Sequence, residues 1–185
     1  MINKKKQASG SVGYVFLFLV VMLIMIITMY LMQVAKLMSH QHHVDDALCD
    51  SVLASLVADD VYYFKTYETT GTPVVRLDDV DESYDIFVDC MMDAVGNTED
   101  FYYNFSIDKF ICYEVSGSTI KVTTYSGNSG TKTVSTGRVG SLRSPTGELV
   151  TKTSAYGKVR FDIQSILDGS FITKTKDIYC ALEIN

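Results

Sequence analysis

No Asp, Glu, Lys or Arg occurs anywhere from Gln7 to Ala35. Charge-free runs of that length do not form ordinary water-facing surface, and a bilayer core needs about 20 mostly apolar residues in helical form. Val12 to Met32 meets that need. No Ala-x-Ala pattern follows, since the exit reads Gln33, Val34, Ala35, Lys36, Leu37, Met38, and the run exceeds the roughly 7 to 15 apolar residues of a secretory signal peptide. The run therefore reads as a retained transmembrane helix. Acidic residues are also missing before Asp45. Of 16 Lys and Arg against 22 Asp and Glu, four bases lie at or before Lys36, so the remainder holds 12 basic and 22 acidic residues. That balance disfavours a nucleic-acid-binding face. Chemistry-bearing motifs are absent too. There is no C-x-x-C or C-x-x-H to suggest zinc or a redox pair, and no G-x-S-x-G, P-loop or H-E-x-x-H. No tandem repeat is visible. The chain reads as neither an enzyme nor a cofactor carrier.

The residues that are present give orientation and plan. Lys4, Lys5 and Lys6 precede the apolar run, and bases flanking a span stay cytoplasmic. The rest of the chain is thus expected outside the cytoplasm as a single-pass cell-membrane protein. About 145 residues remain beyond the anchor, enough for one modest domain. Apolar residues at Val34, Leu37, Met38, Val44, Ala47, Leu48, Val52, Leu56, Val57, Val61 and Phe64 recur at intervals of three and four, one stripe of a helix. Neither Gly nor Pro interrupts Ala35 to Glu68. The expectation is one helix from Val12 to Tyr67, stopped by Thr69-Thr70-Gly71-Thr72-Pro73. This divides the chain into a basic leader (1–10), a transmembrane helix (11–35), its extracytoplasmic continuation (36–68) and an α+β domain (69–185).

Within that domain, Asp81 to Val95 reads as a second helix, opening on Asp81 and Glu82 and closing at Gly96-Asn97. Phe110 to Val115 and Thr119 to Tyr125 flank Ser116-Gly117-Ser118 as a hairpin. Ser126 to Gly147 reads as a long mobile loop with a short strand near Lys132 to Ser135. Tyr156 to Ile163 and Ile178 to Ile184 alternate as strands. The fold class is α+β, a long N-terminal helix packed on a small antiparallel sheet of four or five strands, a pilin-like plan.

Three groups of side chains invite a functional reading. His40, His42 and His43 precede Asp45, Asp46 and Asp50; His42 and Asp46 share a helix face, as do Asp46 and Asp50, a spacing that suits a transition metal but equally a solvated face near lipid headgroups. The latter is preferred and no metal is assigned. Val61-Tyr62-Tyr63-Phe64 and Phe101-Tyr102-Tyr103-Asn104-Phe105 offer rings for a ligand platform, yet most are expected to bury against the sheet. Cys49, Cys90, Cys112 and Cys180 permit two disulfides in three connectivities or four buried thiols. Cys112 with Cys180, and Cys49 with Cys90, is the pairing preferred from like element types.

The leader KKKQASG, the small-residue start SVGYVF, the uninterrupted helix and the segment SPTGELVTKTSAYGKVRFDI resemble the TadE and TadG pseudopilins of the tight-adherence (type IVc) pilus, in the form typical of Gram-positive bacteria. The resemblance implies a minor structural or assembly subunit of such a pilus, or of a related secretion system, with roles in adhesion or secretion. It implies as partners the membrane, other pilus or pseudopilin subunits, the assembly platform and a prepilin peptidase. Such prepilins carry Gly before the cleaved bond, Glu five residues later and then an aromatic. Gly10, Ser11 and Phe16 occupy the first, new-terminal and aromatic positions, but Val15 stands where the Glu would be. A carboxylate in lipid is kept where it meets a partner, so an uncleaved anchoring role, as in TadG-like members, is open. Lateral helix contact is expected at Gly13 and Ala35, where small side chains allow close approach. The alternative is a single-pass extracytoplasmic ligand-binding or sensor module without a pilus role, which a flexible break at Met38 to Val44 would favour.

Overall fold

The structure, a computed structural model, describes residues 5–71, 74–96, 98, 102–165 and 169–182, with side chains from Val12 onward within the first helix. Three helices, α1 (Lys5–Ala54), α2 (Asp60–Thr70) and α3 (Val80–Gly96), precede five strands. These are β1 (Tyr102–Ser116), β2 (Thr119–Ser126), β3 (Thr131–Arg138), β4 (Ser154–Gln164) and β5 (Phe171–Ala181). The chain forms two compact units, residues 1–42 and 43–185. The class is α+β, a long apolar N-terminal helix with an antiparallel sheet.

In the first unit, α1 has its apolar residues exposed on every side from Val12 to Met32. It is long and apolar enough to cross a membrane, with a mean hydropathy of 2.9 in its most apolar window. The Thr28 hydroxyl, Oγ1, donates to the Ile24 carbonyl at 2.8 Å, which satisfies it inside the helix.

The helix does not reach Tyr67. It ends at Ala54, and the expected continuation over 36–68 is corrected to two helices around a break at 55–59. The cause is polar chemistry, not Gly or Pro. Asp59 caps α2 by accepting from the Tyr62 backbone N–H at 2.8 Å, an Asp role that competes with helix continuation. Arg76 donates to the same carboxylate at 2.9 and 2.7 Å through Nε and Nη2. The intervening backbone bonds to a distant segment: Asp59 N–H to the Arg76 carbonyl and Asp78 N–H to the Val57 carbonyl. The apolar stripe splits accordingly. Val44, Leu48, Val52 and Leu56, each four residues apart, are buried, whereas Val57, Val61 and Phe64 are exposed. Helix α2 closes at Gly71, whose φ of 69° and bond to the Tyr67 carbonyl make a left-handed cap.

The sheet runs in the order β3-β2-β1-β4-β5, antiparallel throughout. Both faces are covered. On one, Phe87 of α3 stacks on Phe110 at 4.6 Å, and Val52 of α1 comes so near Gly157 that a Cβ there would stand 2.7 Å from its Cγ2. The other face carries Ile111, Tyr113, Ile120, Val122 and Tyr156 under Val150, with Val139 and Leu142 beside them. Of the mobile loop expected over Ser126 to Gly147 with a short strand near Lys132 to Ser135, the strand is present as β3 and the remainder is a packed segment. Its Val150 N–H bonds to the Leu142 carbonyl and its Ser144 N–H to the Glu148 carbonyl. The short strand expected near Lys132 to Ser135 is present and longer, because at the sheet edge, with seven of its eight residues exposed, it needs no apolar alternation to extend. Strand β1 begins eight residues earlier than expected. Register shifts between Tyr103 and Ser106 and between Ile107 and Lys109 break its alternation.

Candidate functional site

Three places in the second unit gather side chains with chemical potential. Residues His43, Asp46, Ala47, Asp50, Ser51 and Ala54 of α1 line one side of a groove of about 410 Å³, and Cys90 and Ala94 of α3 line the other. His43, Asp46 and Asp50 are exposed, and His42 is exposed as well. Among the described residues no three His, Cys, Asp or Glu side chains come together as a metal-holding group. Asp45 points elsewhere, accepting from Lys176 Nζ of β5 at 2.7 Å. The histidine–aspartate run is therefore distributed over two flanks of α1, one toward α3 and one toward β5.

A second, polar hollow of about 310 Å³ is lined by residues including Arg76, Asp81, Glu114, Lys121 and Lys132. Its cations are matched by anions. Lys121 pairs with Glu114 at 2.8 Å, Lys132 with Asp81 at 2.6 Å, and Arg76 with Asp59 at 2.7 Å. The Tyr125 hydroxyl also donates to Asp81. Lys132, and then Tyr125, hold the Asp81 carboxyl below the usual carboxylate range. Burial, and then Asp81, push the Tyr125 phenol far upward. With these charges already paired, the hollow serves to join α3 to the sheet and offers little to an anionic ligand.

The cysteines are arranged differently from the preferred pairing. All four are free thiols. Cys112 and Cys180 both stand opposite Ala155, on β1 and β5 respectively. Strand β4 lies between them, and two strand spacings of about 4.8 Å each exceed the ~7 Å Cα limit for a disulfide. Cys112 is 1% exposed, and burial pushes its thiol up to about 12, the state of an inert core residue. Cys90 borders the groove, which Cys49 does not line. Cys49 instead neighbours Cys180 and, after burial, is the next cause that pushes the Cys180 thiol up. Neither preferred pair is brought together, and a pair not singled out is.

The aromatic runs divide as well. Tyr102 lies edge-on to Phe161 at 5.2 Å and Tyr103 edge-on to Phe171 at 5.1 Å, packing on the sheet. On α2 no residue is buried; Tyr62 lies under the Arg76 guanidinium at 4.0 Å, while Phe64 is 62% exposed. The expectation that most rings bury thus fails on α2, because the break at 55–59 turns that helix off the core stripe.

Gly13 and Ala35 are exposed on α1, and a Cβ at Gly13 would meet nothing within 4 Å. Their separation of 22 positions brings them to within about 40° of one another around the helix, some 33 Å apart along it. Gly10 and Ser11 lie outside the residues whose side chains are described. The chain matches no protein-family model, no curated protein and no solved structure.

Proposed function

We propose that this protein is a membrane-anchored, minor pseudopilin-like subunit of a tight-adherence (type IVc) pilus or related secretion system. In this reading its lysine leader is cytoplasmic and its acidic α+β domain extracytoplasmic. The observation that carries it is helix α1. One helix holds the exposed apolar length from Val12 to Met32, passes through 38–44 without a break, and supplies Val44, Leu48 and Val52 to the domain core. A tethered sensor needs no such shared helix; a pilin-like subunit does. Apolar side chains exposed all round are stable in lipid or against other helices, not in water. Small residues on one face, Gly13 and Ala35, suit lateral helix contact, where van der Waals packing and close approach drive association in lipid. The role is contact and assembly, without catalysis or a cofactor.

The test is the mature N-terminus, read by mass spectrometry of protein from its native membrane. A start at Ser11 supports prepilin-type processing despite Val15 and entry into a pseudopilus. A start at Met1 or Ile2 supports a permanently anchored assembly subunit of the TadG kind. A start beyond Ala35, with the protein recovered in the soluble fraction, overturns the reading, because the apolar run would then be a removed export signal.

A further inference from the structure

We propose that Cys49 and Cys180 are a disulfide-forming pair that ties helix α1 to the edge strand β5 when the protein meets a disulfide-bearing oxidant. Both residues belong to the unit 43–185. Two contacts set the Cys49 stretch of α1 against the face of β5 that carries Cys180. One turn earlier, Asp45 binds Lys176 Nζ at 2.7 Å; Lys176 lies four residues before Cys180 and therefore on the same strand face. Three residues later, Val52 packs on Gly157, whose partner across the sheet is Ile178, two residues before Cys180. Cys49 sits between these contacts.

The competitors are excluded by place. Cys112 is buried behind strand β4 from Cys180, and Cys90 borders the groove on the α3 side of α1. Cys49 and Cys180 are half-buried, so a small oxidant reaches them. Burial, and then Cys49, push the Cys180 thiol up to about 11, so bond formation accelerates as pH rises and the thiolate fraction grows. The exchange balances. One cysteine thiolate attacks a sulfur of the oxidant's disulfide, forming a mixed disulfide and releasing one thiolate. The second cysteine thiolate attacks the protein sulfur of that mixed disulfide and releases the other. Two protein thiols are oxidised, one oxidant disulfide is reduced to two thiols, and the two cysteine protons go to the released thiolates.

The bond would fix the last described strand of the sheet, which has a strand neighbour, β4, on one side only. Such a cross-link closes a loop from Cys49 to Cys180 and removes freedom from the unfolded chain. The inference rests on the geometry of unit 43–185 and not on the pseudopilin reading, which bears only on whether the bond forms in the cell.

The experiment treats the purified full chain, in detergent micelles at pH 8, with oxidised glutathione. Remaining thiols are then alkylated, and the tryptic peptides are mapped. The four cysteines fall in four separate peptides, 37–65, 77–109, 110–121 and 177–185. The expected result is 37–65 joined to 177–185, with Cys90 and Cys112 outside that link. The apparent thermal midpoint should rise by about 10 °C or more, a shift retained in Cys90→Ser and lost in Cys180→Ser. Separate glutathione adducts on Cys49 and Cys180, a dominant link between any other two cysteines, or a thermal shift that persists in Cys180→Ser would each overturn the proposal. None of those results bears on where the mature N-terminus lies.

Discussion

Gly157 marks the closest approach of the helices to the sheet. A Cβ there would lie 2.7 Å from Val52 Cγ2 and 3.0 Å from the Phe87 ring, and both neighbours are fully buried. The constraint is space, since the residue's φ lies outside the left-handed region. Adding a methyl group to a packed core forces side chains off their rotamers or shifts the backbone, at a cost of about 1–3 kcal/mol. Gly157→Ala is expected to lower unfolding stability by that amount, measured as a shift in the denaturant midpoint at unchanged slope. An unchanged midpoint would mean that Val52 and Phe87 retreat freely and that this face is loosely packed. Sequence alone gives no hint of the role: the glycine sits in a strand run, where glycine is usually read as a bulge or a weakness.

At the scale of elements, legibility followed burial pattern. Helix α3 buries one face and exposes the other, so its periodicity shows in the residues, while β1, β2 and β4, covered on both faces, show instead as runs rich in β-branched and aromatic residues. The separation of α1 from α2 is not marked by Gly or Pro; its signal is Asp59-Asp60, an N-cap followed by an acidic first turn. A prediction follows from that cap. The Tyr62 N–H, and then Arg76, hold the Asp59 carboxyl below its usual range; the Thr173 hydroxyl, and then Asn104, do the same for Asp162. A carboxyl depressed in the folded state stabilises the fold at pH values above its unfolded value of about 3.9. That stabilisation is lost as pH falls through the folded value. Stability should therefore hold from pH 7 to about 5 and decline below about 4, and Asp59→Asn should make that decline shallower. An identical acid limb in wild type and Asp59→Asn would show that the cap and the Arg76 pair contribute nothing to it. The full length of strand β3, beyond the core 132–135 that its residues suggest, and the packed 139–150 segment were illegible for a different reason. The strand is exposed at an edge, and the segment's cover over Tyr113 and Tyr156 depends on a few apolar residues, Val139, Leu142 and Val150, scattered among Gly, Ser and Thr.

For the whole molecule, the two units differ in where their apolar side chains lie. Among the described residues every buried core residue lies at or beyond Val44, and the apolar side chains from Val12 to Met32 are exposed. A chain beginning at His43 therefore retains the core and loses the exposed apolar segment that is long enough to cross a membrane. It should fold as a water-soluble domain with cooperative unfolding. A chain beginning at Leu56 lacks Val44, Leu48 and Val52, whose relative exposures are 1%, 1% and 0%. Burying a Val or Leu side chain contributes about 1.5–3 kcal/mol, so the three together contribute roughly 5–9 kcal/mol, comparable to the entire stability of a typical domain at about 5–15 kcal/mol. That shorter chain should fail to fold, with lost near-ultraviolet dichroism and aggregation in the absence of denaturant. The pair of truncations separates two accounts of α1. If both chains fold, the helix is a detachable tether and the pilin-like plan loses its principal support. If the chain from His43 folds and the chain from Leu56 does not, the last turns of α1 belong to the domain, and the helix that carries the apolar anchor also builds the core beneath the sheet.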